Sequence, residues 1–163
     1  MNLSEAQVVH RNKCSFHPNI PDKFYLFPFV KKGVEKKTTL ALDGLAVEEG
    51  WYSCLSVAFG AIWSHVSKHP ELRETFYITQ VKEKFGTLRI YTHGSDEKIN
   101  SIIRWVESAS KKLCEFCGSH GAQKRPFCWV KTMCRRCMWS SIWQDNRPVG
   151  FRLFLLWNWV TGR

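Results

Sequence analysis

Phe76-Tyr-Ile-Thr-Gln-Val81, followed by Lys82-Glu-Lys-Phe-Gly86 and then Thr87-Leu-Arg-Ile-Tyr91, is the stretch that decides the fold. Its outer pieces are rich in β-branched and aromatic residues, which fit a pleated, half-buried surface. The middle piece is a short polar connector in which Gly86 offers positive φ. A β-hairpin is expected, with Ile78 and Val81 buried and the charged residues solvated. Upstream, Trp51, Leu55, Phe59, Ile62 and Val66 recur at helical spacing, and Val57, Ala58 and Trp63 widen the stripe, so an amphipathic helix should run to about His69-Pro70. Downstream, Ser95 offers an N-cap, Asp96 and Glu97 place acids in a first turn, and Ile99, Ile102, Ile103, Val106, Ala109 and Leu113 form a second stripe. That helix should reach about Lys112 and cover the hairpin. The expected fold class is α+β, a small helix–β-hairpin–helix core.

The second helix leads into Cys114-Glu-Phe-Cys117, and sixteen residues further on comes Cys134-Arg-Arg-Cys137. Two residues between thiolates let both sulfurs face one ion, and the long intervening loop returns the second pair to complete a tetrahedron. Cys114, Cys117, Cys134 and Cys137 are therefore the expected ligands of one Zn²⁺. Four thiolates leave no open coordination position, so the metal is read as structural. Gly118 suits the tight turn of a zinc knuckle, Phe127 to Val130 reads as a strand, and a helix is expected from Cys134. That order resembles the treble-clef zinc folds, with a zinc ribbon as the alternative. Cys128, whose spacing matches neither pair, is the one substitute ligand within the segment.

Flanking these parts are two segments with weaker patterns. Residues 24–30 form an apolar run broken by Pro28, the charged stretch 31–37 is read as turning at Gly33, and residues 38–42 as a short strand. The division read from the chain is 1–113 for the α+β core with an irregular N-terminal part, 114–139 for the four-cysteine zinc module, and 140–163 for an aromatic, apolar tail. Phe151 to Val160 is too short to cross a bilayer, which takes roughly 20 residues. It is read as core packing or as a contact between copies of the chain, because an exposed patch of that size would promote aggregation.

Charge is unevenly spread. The chain has 24 Lys and Arg against 14 Asp and Glu, a net charge of +10, and residues 111–163 alone hold ten of the former and two of the latter. There Lys124, Arg125, Lys131, Arg135 and Arg136 are interleaved with Phe127, Trp129 and Trp139. Cations neutralise phosphates and aromatic faces stack on bases, so the mixture points to nucleic acid, with Lys124, Arg125, Lys131, Arg135, Arg136 and Trp129 as candidate contacts. A solvated basic surface around a small aromatic core is the competing reading. Seven cysteines, an odd number, and a start without the charged and apolar parts of a secretory signal point to a reducing compartment, with the cytoplasm as the expected location.

Other constellations are thinner. Cys14 and His17 have ligand spacing and would need Cys54 or Cys128 to make a second site; an ordinary loop is the simpler reading. His65 and His69 share a helical face, but the glutamate of the metalloprotease pattern is replaced by Val66, so a helix-end position is expected. Lys82 and Glu83, with Glu74 and Asp96 as further carboxylates, resemble the acid and lysine of Mg²⁺-dependent nucleases, against a bland reading as solvated hairpin charges.

The run from Gln80 to Tyr91, followed by a helix and then Cys-x₂-Cys-Gly, resembles a group of small uncharacterised phage and prophage-associated proteins in which a Lys-Phe-Gly-x-Leu-Arg hairpin precedes a paired-cysteine site. The resemblance spans residues 50–137 and implies a phage or bacterial setting, with no activity to transfer. Three functions are thus carried forward. The first is a non-enzymatic zinc-containing nucleic-acid-binding protein, the second a factor that acts on a host protein, and the third a metal-dependent nuclease.

Overall fold

The structure, a computed structural model, describes residues 19–120, 123–124 and 130–143, with the backbone alone for Gln123, Lys124, Ile142 and Trp143. Its hairpin lies where the sequence puts it. Strand β2 (Tyr77–Lys84) pairs antiparallel with β3 (Thr87–His93) through a two-residue turn, Phe85-Gly86, in which both residues have positive φ (52° and 69°). That is the turn sense whose twist matches the flanking strands; Gly86 takes it without strain and Phe85 does not. Thr79 is an extra residue, since Ile78 opposes Thr92 while Gln80 opposes Tyr91. This bulge is why Ile78 and Val81, three apart, both face the core.

Helix α5 (Glu97–Ser110) packs on β3, and α3 (Tyr52–Val66) packs against α5. Trp51, Leu55, Phe59, Ile62 and Val66 are buried as the spacing predicts, together with Ile99, Ile103 and Val106. Val57 is exposed, on the far side of α3. Phe59 is the hub, meeting the rings of Phe24, Phe27 and Phe29 edge-on at 5.6–5.7 Å. Helix α5 also protects the open edge of β3. Ser110 Oγ accepts from the Leu88 N–H (3.0 Å) and Glu107 Oε1 from the Ile90 N–H (3.1 Å), so two strand donors that would otherwise invite another chain are satisfied.

Several local expectations are corrected. The N-terminal part holds regular structure: a 3-10 turn (Asp22–Leu26), α1 (Pro28–Glu35) and α2 (Thr39–Asp43). Pro28 occupies the first turn of α1, where its missing N–H costs nothing, so it starts a helix where the sequence reads as a break. Gly33 lies inside that helix, and a Cβ there would sit 2.0 Å from the Ile78 carbonyl oxygen, so its role is close approach to β2. Residues 39–43 are helical where a strand was expected, and a short strand β1 (Leu45–Ala46) follows, parallel to Val81 and Lys82 of β2. Another first-turn proline, Pro70, opens the short helix α4 (Pro70–Thr75). Asp96, rather than Ser95, caps α5, accepting from the Ile99 N–H at 2.8 Å. The chain is thus a mixed α+β protein with a three-stranded sheet in the order β1-β2-β3. Among the described residues no helix is long and apolar enough to cross a membrane.

Candidate metal centre

Past α5 the chain turns back on itself. The Gly118 N–H donates to the Cys114 carbonyl (2.8 Å), and Gly118 has φ 71°, which closes the knuckle around the first cysteine pair. A two-stranded ladder follows, β4 (Gln123–Lys124) with β5 (Thr132–Met133), and Cys134 directly precedes helix α6 (Arg135–Trp143). The strand before the second pair is therefore Thr132–Met133; residues 127–129 of the expected strand, with Cys128 and Trp129, lie outside the described residues, as do Arg125, Cys14, His17 and residues 144–163 of the tail.

The four cysteine sulfurs all lie within 4.8 Å of one another, with Cys117 Sγ and Cys134 Sγ at 3.6 Å. Four sulfurs at about 2.3 Å from one ion would be spaced by about 3.8 Å, so the cluster has nearly the dimensions of a tetrahedral thiolate site. The Cys137 N–H points to Cys134 Sγ at 3.4 Å, an orienting contact of the kind that holds ligands in place. The thiols divide in acidity. Hydrogen bonding with Ser119 and with the Cys137 N–H lowers Cys134 to about 6, and Ser119 likewise lowers Cys117. Burial raises Cys114, and burial together with the neighbouring sulfurs raises Cys137. Once two sulfurs carry charge, the last protons are hard to remove, an arrangement suited to a dication whose charge favours the deprotonated thiols. The donor set fits a soft or borderline metal ion.

The centre is fastened to the core at four points. Gly50 packs so closely on the knuckle that a Cβ would lie 2.4 Å from the carbonyl oxygens of both Cys114 and Glu115. Trp51 Nε1 donates to the Leu113 carbonyl (3.0 Å), and Thr132 Oγ1 to the Gly86 carbonyl at the hairpin tip. Lys131 Nζ joins Glu115 Oε1 at 2.9 Å and approaches Glu83 Oε2 at 3.8 Å. Burial raises the Glu115 carboxyl against the opposing effect of Lys131. Glu115 is the residue that sequence reasoning misses. Its only signal in the chain is a lone acid set between the first two cysteines of a basic segment.

Of the candidate nucleic-acid contacts, Arg135 and Arg136 are exposed in the first turn of α6, and Lys124 is described by its backbone alone. Lys131 is half-buried in the bridge just described, with its Nζ 5.8 Å from the Phe116 ring centre. Lys82 and Glu83, as neighbours in a strand, point to opposite faces: Lys82 Nζ lies over the Tyr91 ring (5.1 Å), while Glu83 Oε1 accepts from the Gly86 N–H at 2.6 Å. They do not converge. His65 Nε2 meets Asp96 Oδ2 at 2.6 Å and His69 Nδ1 the His65 carbonyl at 2.9 Å, so both rings are engaged at the end of α3. Among the described residues the cysteines are the only converging group of metal-type ligands.

Fold and site together define a mixed α+β chain with a cluster of four cysteines, able to hold a metal ion, docked on its hairpin. No family model, curated protein or solved structure matches the chain.

Proposed function

We propose that the cysteine cluster holds one structural Zn²⁺ in a treble-clef-like module, and that this module binds nucleic acid. The observation that carries the reading is the placement of Arg135 and Arg136, both exposed at the start of α6, immediately after a metal ligand. A helix N-terminus adds its own partial positive charge, so two guanidinium groups and the helix dipole address a phosphate together. Zinc with four thiolates carries a net charge of −2, which reduces the basic excess of residues 111–163 without reversing it. Of the two acids in that span, Glu115 is already matched by Lys131. Tetrathiolate coordination leaves the metal no open position, which favours a binding role over catalysis. A reducing cytoplasm in a phage-infected or bacterial cell is the setting that suits the thiolates and the resemblance of the hairpin.

The test is binding of the zinc-loaded protein to single-stranded and duplex DNA and RNA across a salt series. Affinity should fall steeply with salt, and an Arg135→Ala, Arg136→Ala variant should lower the salt slope by about one to two. Retention unaffected by the double substitution would remove the proposed interface. A second reading, a factor that acts on a host protein, is supported by Phe116 and Trp139, large side chains exposed on the same module. Such aromatic anchors are common in protein interfaces. Salt-insensitive capture of a protein, with no retention of nucleic acid at low salt, favours it.

A further inference from the structure

The tip of the hairpin carries a residue that its own turn disfavours. A two-residue turn with positive φ at both positions is made most easily by Asn-Gly or Asp-Gly, because a short polar side chain, or none, tolerates the left-handed region. Phe85 stands at the first position with φ 52°. A bulky side chain held there is an outlier, and burial in a core is the usual compensation. Phe85 has none, since it is 72% exposed. Neither the turn nor the core calls for a phenyl ring at this place, and strain kept without a folding benefit points to a use of the ring outside the fold.

The surroundings of the ring say what that use is. Lys84 is exposed beside it, with Nζ 5.7 Å from the ring centre. The neighbouring acid, Glu83, is turned inward: it accepts from the Gly86 N–H, and its side chain is only 6% exposed. The tip also abuts the cysteine module. Thr132 Oγ1 donates to the Gly86 carbonyl, and a Cβ on Gly86 would lie 3.2 Å from Val130 Cγ1. Arg135 follows Thr132 by three peptide steps, at most about 11 Å. The exposed ring therefore lies between Lys84 and the exposed arginines, Arg135 and Arg136, that open α6. A ligand matched to this set carries both negative charge and flat faces. Phosphates answer the cations and an unstacked base answers the ring, whereas a duplex, its bases stacked on one another, offers the phosphates alone.

We propose that the hairpin tip is a stacking platform for single-stranded nucleic acid, in which a base lies on the Phe85 ring while the adjoining phosphates meet Lys84 and the α6 arginines. This rests on the nucleic-acid reading above and adds to it the form of the strand and the residue that selects it.

The experiment is anisotropy of the zinc-loaded full chain with three labelled probes of equal length: oligothymidylate, an abasic strand with the same phosphates, and a duplex. Oligothymidylate should bind tightest. Phe85→Asn should weaken that binding by about fivefold or more and leave the abasic strand unaffected, while Phe85→Trp retains it. Because Asn suits the left-handed turn, Phe85→Asn should also raise the unfolding midpoint, so that stability and affinity move in opposite directions, which a merely structural role for the ring would not produce. Oligothymidylate affinity unchanged in Phe85→Asn, or the duplex or abasic strand bound as tightly as oligothymidylate, overturns the stacking proposal; the nucleic-acid reading then survives if Arg135→Ala, Arg136→Ala still weakens binding. Retention of no probe even at low salt overturns both, in favour of a protein partner at the tip.

Discussion

The two halves of this molecule are held together by different physics. Residues 19–113 bury a continuous apolar cluster in which Phe24, Trp51, Phe59 and Phe76 are almost wholly removed from water. In the described part of residues 114–143 the buried apolar side chains are few, chiefly Met133 and Met138 beside Cys114. Where the described side chains bury so little apolar surface, a metal held by the four convergent sulfurs would supply the order that a core supplies elsewhere. The hairpin and its helices have a core of their own, whereas on the proposed zinc reading the cysteine module relies on its metal and on its seat at Gly50 and Gly86.

The comparison is broken most severely by taking the metal away. Chelation, or Cys114→Ser with Cys137→Ser, should abolish hydrogen-exchange protection across residues 114–143 while α3, β2, β3 and α5 stay protected. Apparent binding energies of structural zinc are about 10–16 kcal/mol, far more than the module's own packing supplies. The reverse experiment is Phe59→Ala, which should cost about 3–5 kcal/mol and lower the unfolding midpoint of the core, read by denaturant titration. A result in which chelation lowered core stability by as much as this substitution would mean that the two regions fold as one.

A smaller effect is expected at the seam. Gly50→Ala places a Cβ against two knuckle carbonyls and should loosen docking, seen as faster exchange at the Cys114 and Glu115 amides with zinc content unchanged. The smallest lies within the core. Asp96→Ala removes the cap of α5 and its His65 contact, at a cost of about 1 kcal/mol. Partial burial pushes the Asp96 carboxyl up, but the Ile99 N–H and His65 outweigh it and hold it below its ordinary value of 3.8. A depressed carboxyl stabilises the fold above that value and stops doing so as pH falls through its lowered one. The difference between Asp96→Ala and the unsubstituted protein should therefore be present near neutrality and shrink in acid, read from exchange at the first turn of α5.

How much of this was legible in the chain differs between the same two regions. Periodicity revealed α3, the hairpin and α5 because burial is repeated along them, and paired Cys-x₂-Cys spacing pointed to the four sulfurs that the fold brings together. The N-terminal helices were missed because Pro28 and Gly33 act there through context: a proline in a first turn starts a helix, and a helical glycine marks where α1 touches β2. Asp96 took the capping role from Ser95 because His65, distant in sequence, holds its carboxylate in position. Lys131 counted as a phosphate contact in the sequence, yet its charge is spent on Glu115 and Glu83. Pairings of that kind join residues 16 or more apart, and neither spacing nor composition encodes them.

The cysteine cluster is proposed as a metal site, and the most direct measurement of it is metal content by native mass spectrometry, paired with the absorption spectrum of the cobalt-substituted protein. One zinc per chain, lost in Cys114→Ser with Cys137→Ser, and a tetrahedral tetrathiolate cobalt spectrum are the predicted results. A folded module with no bound metal, or a cobalt spectrum showing fewer than four sulfur ligands, would contradict it.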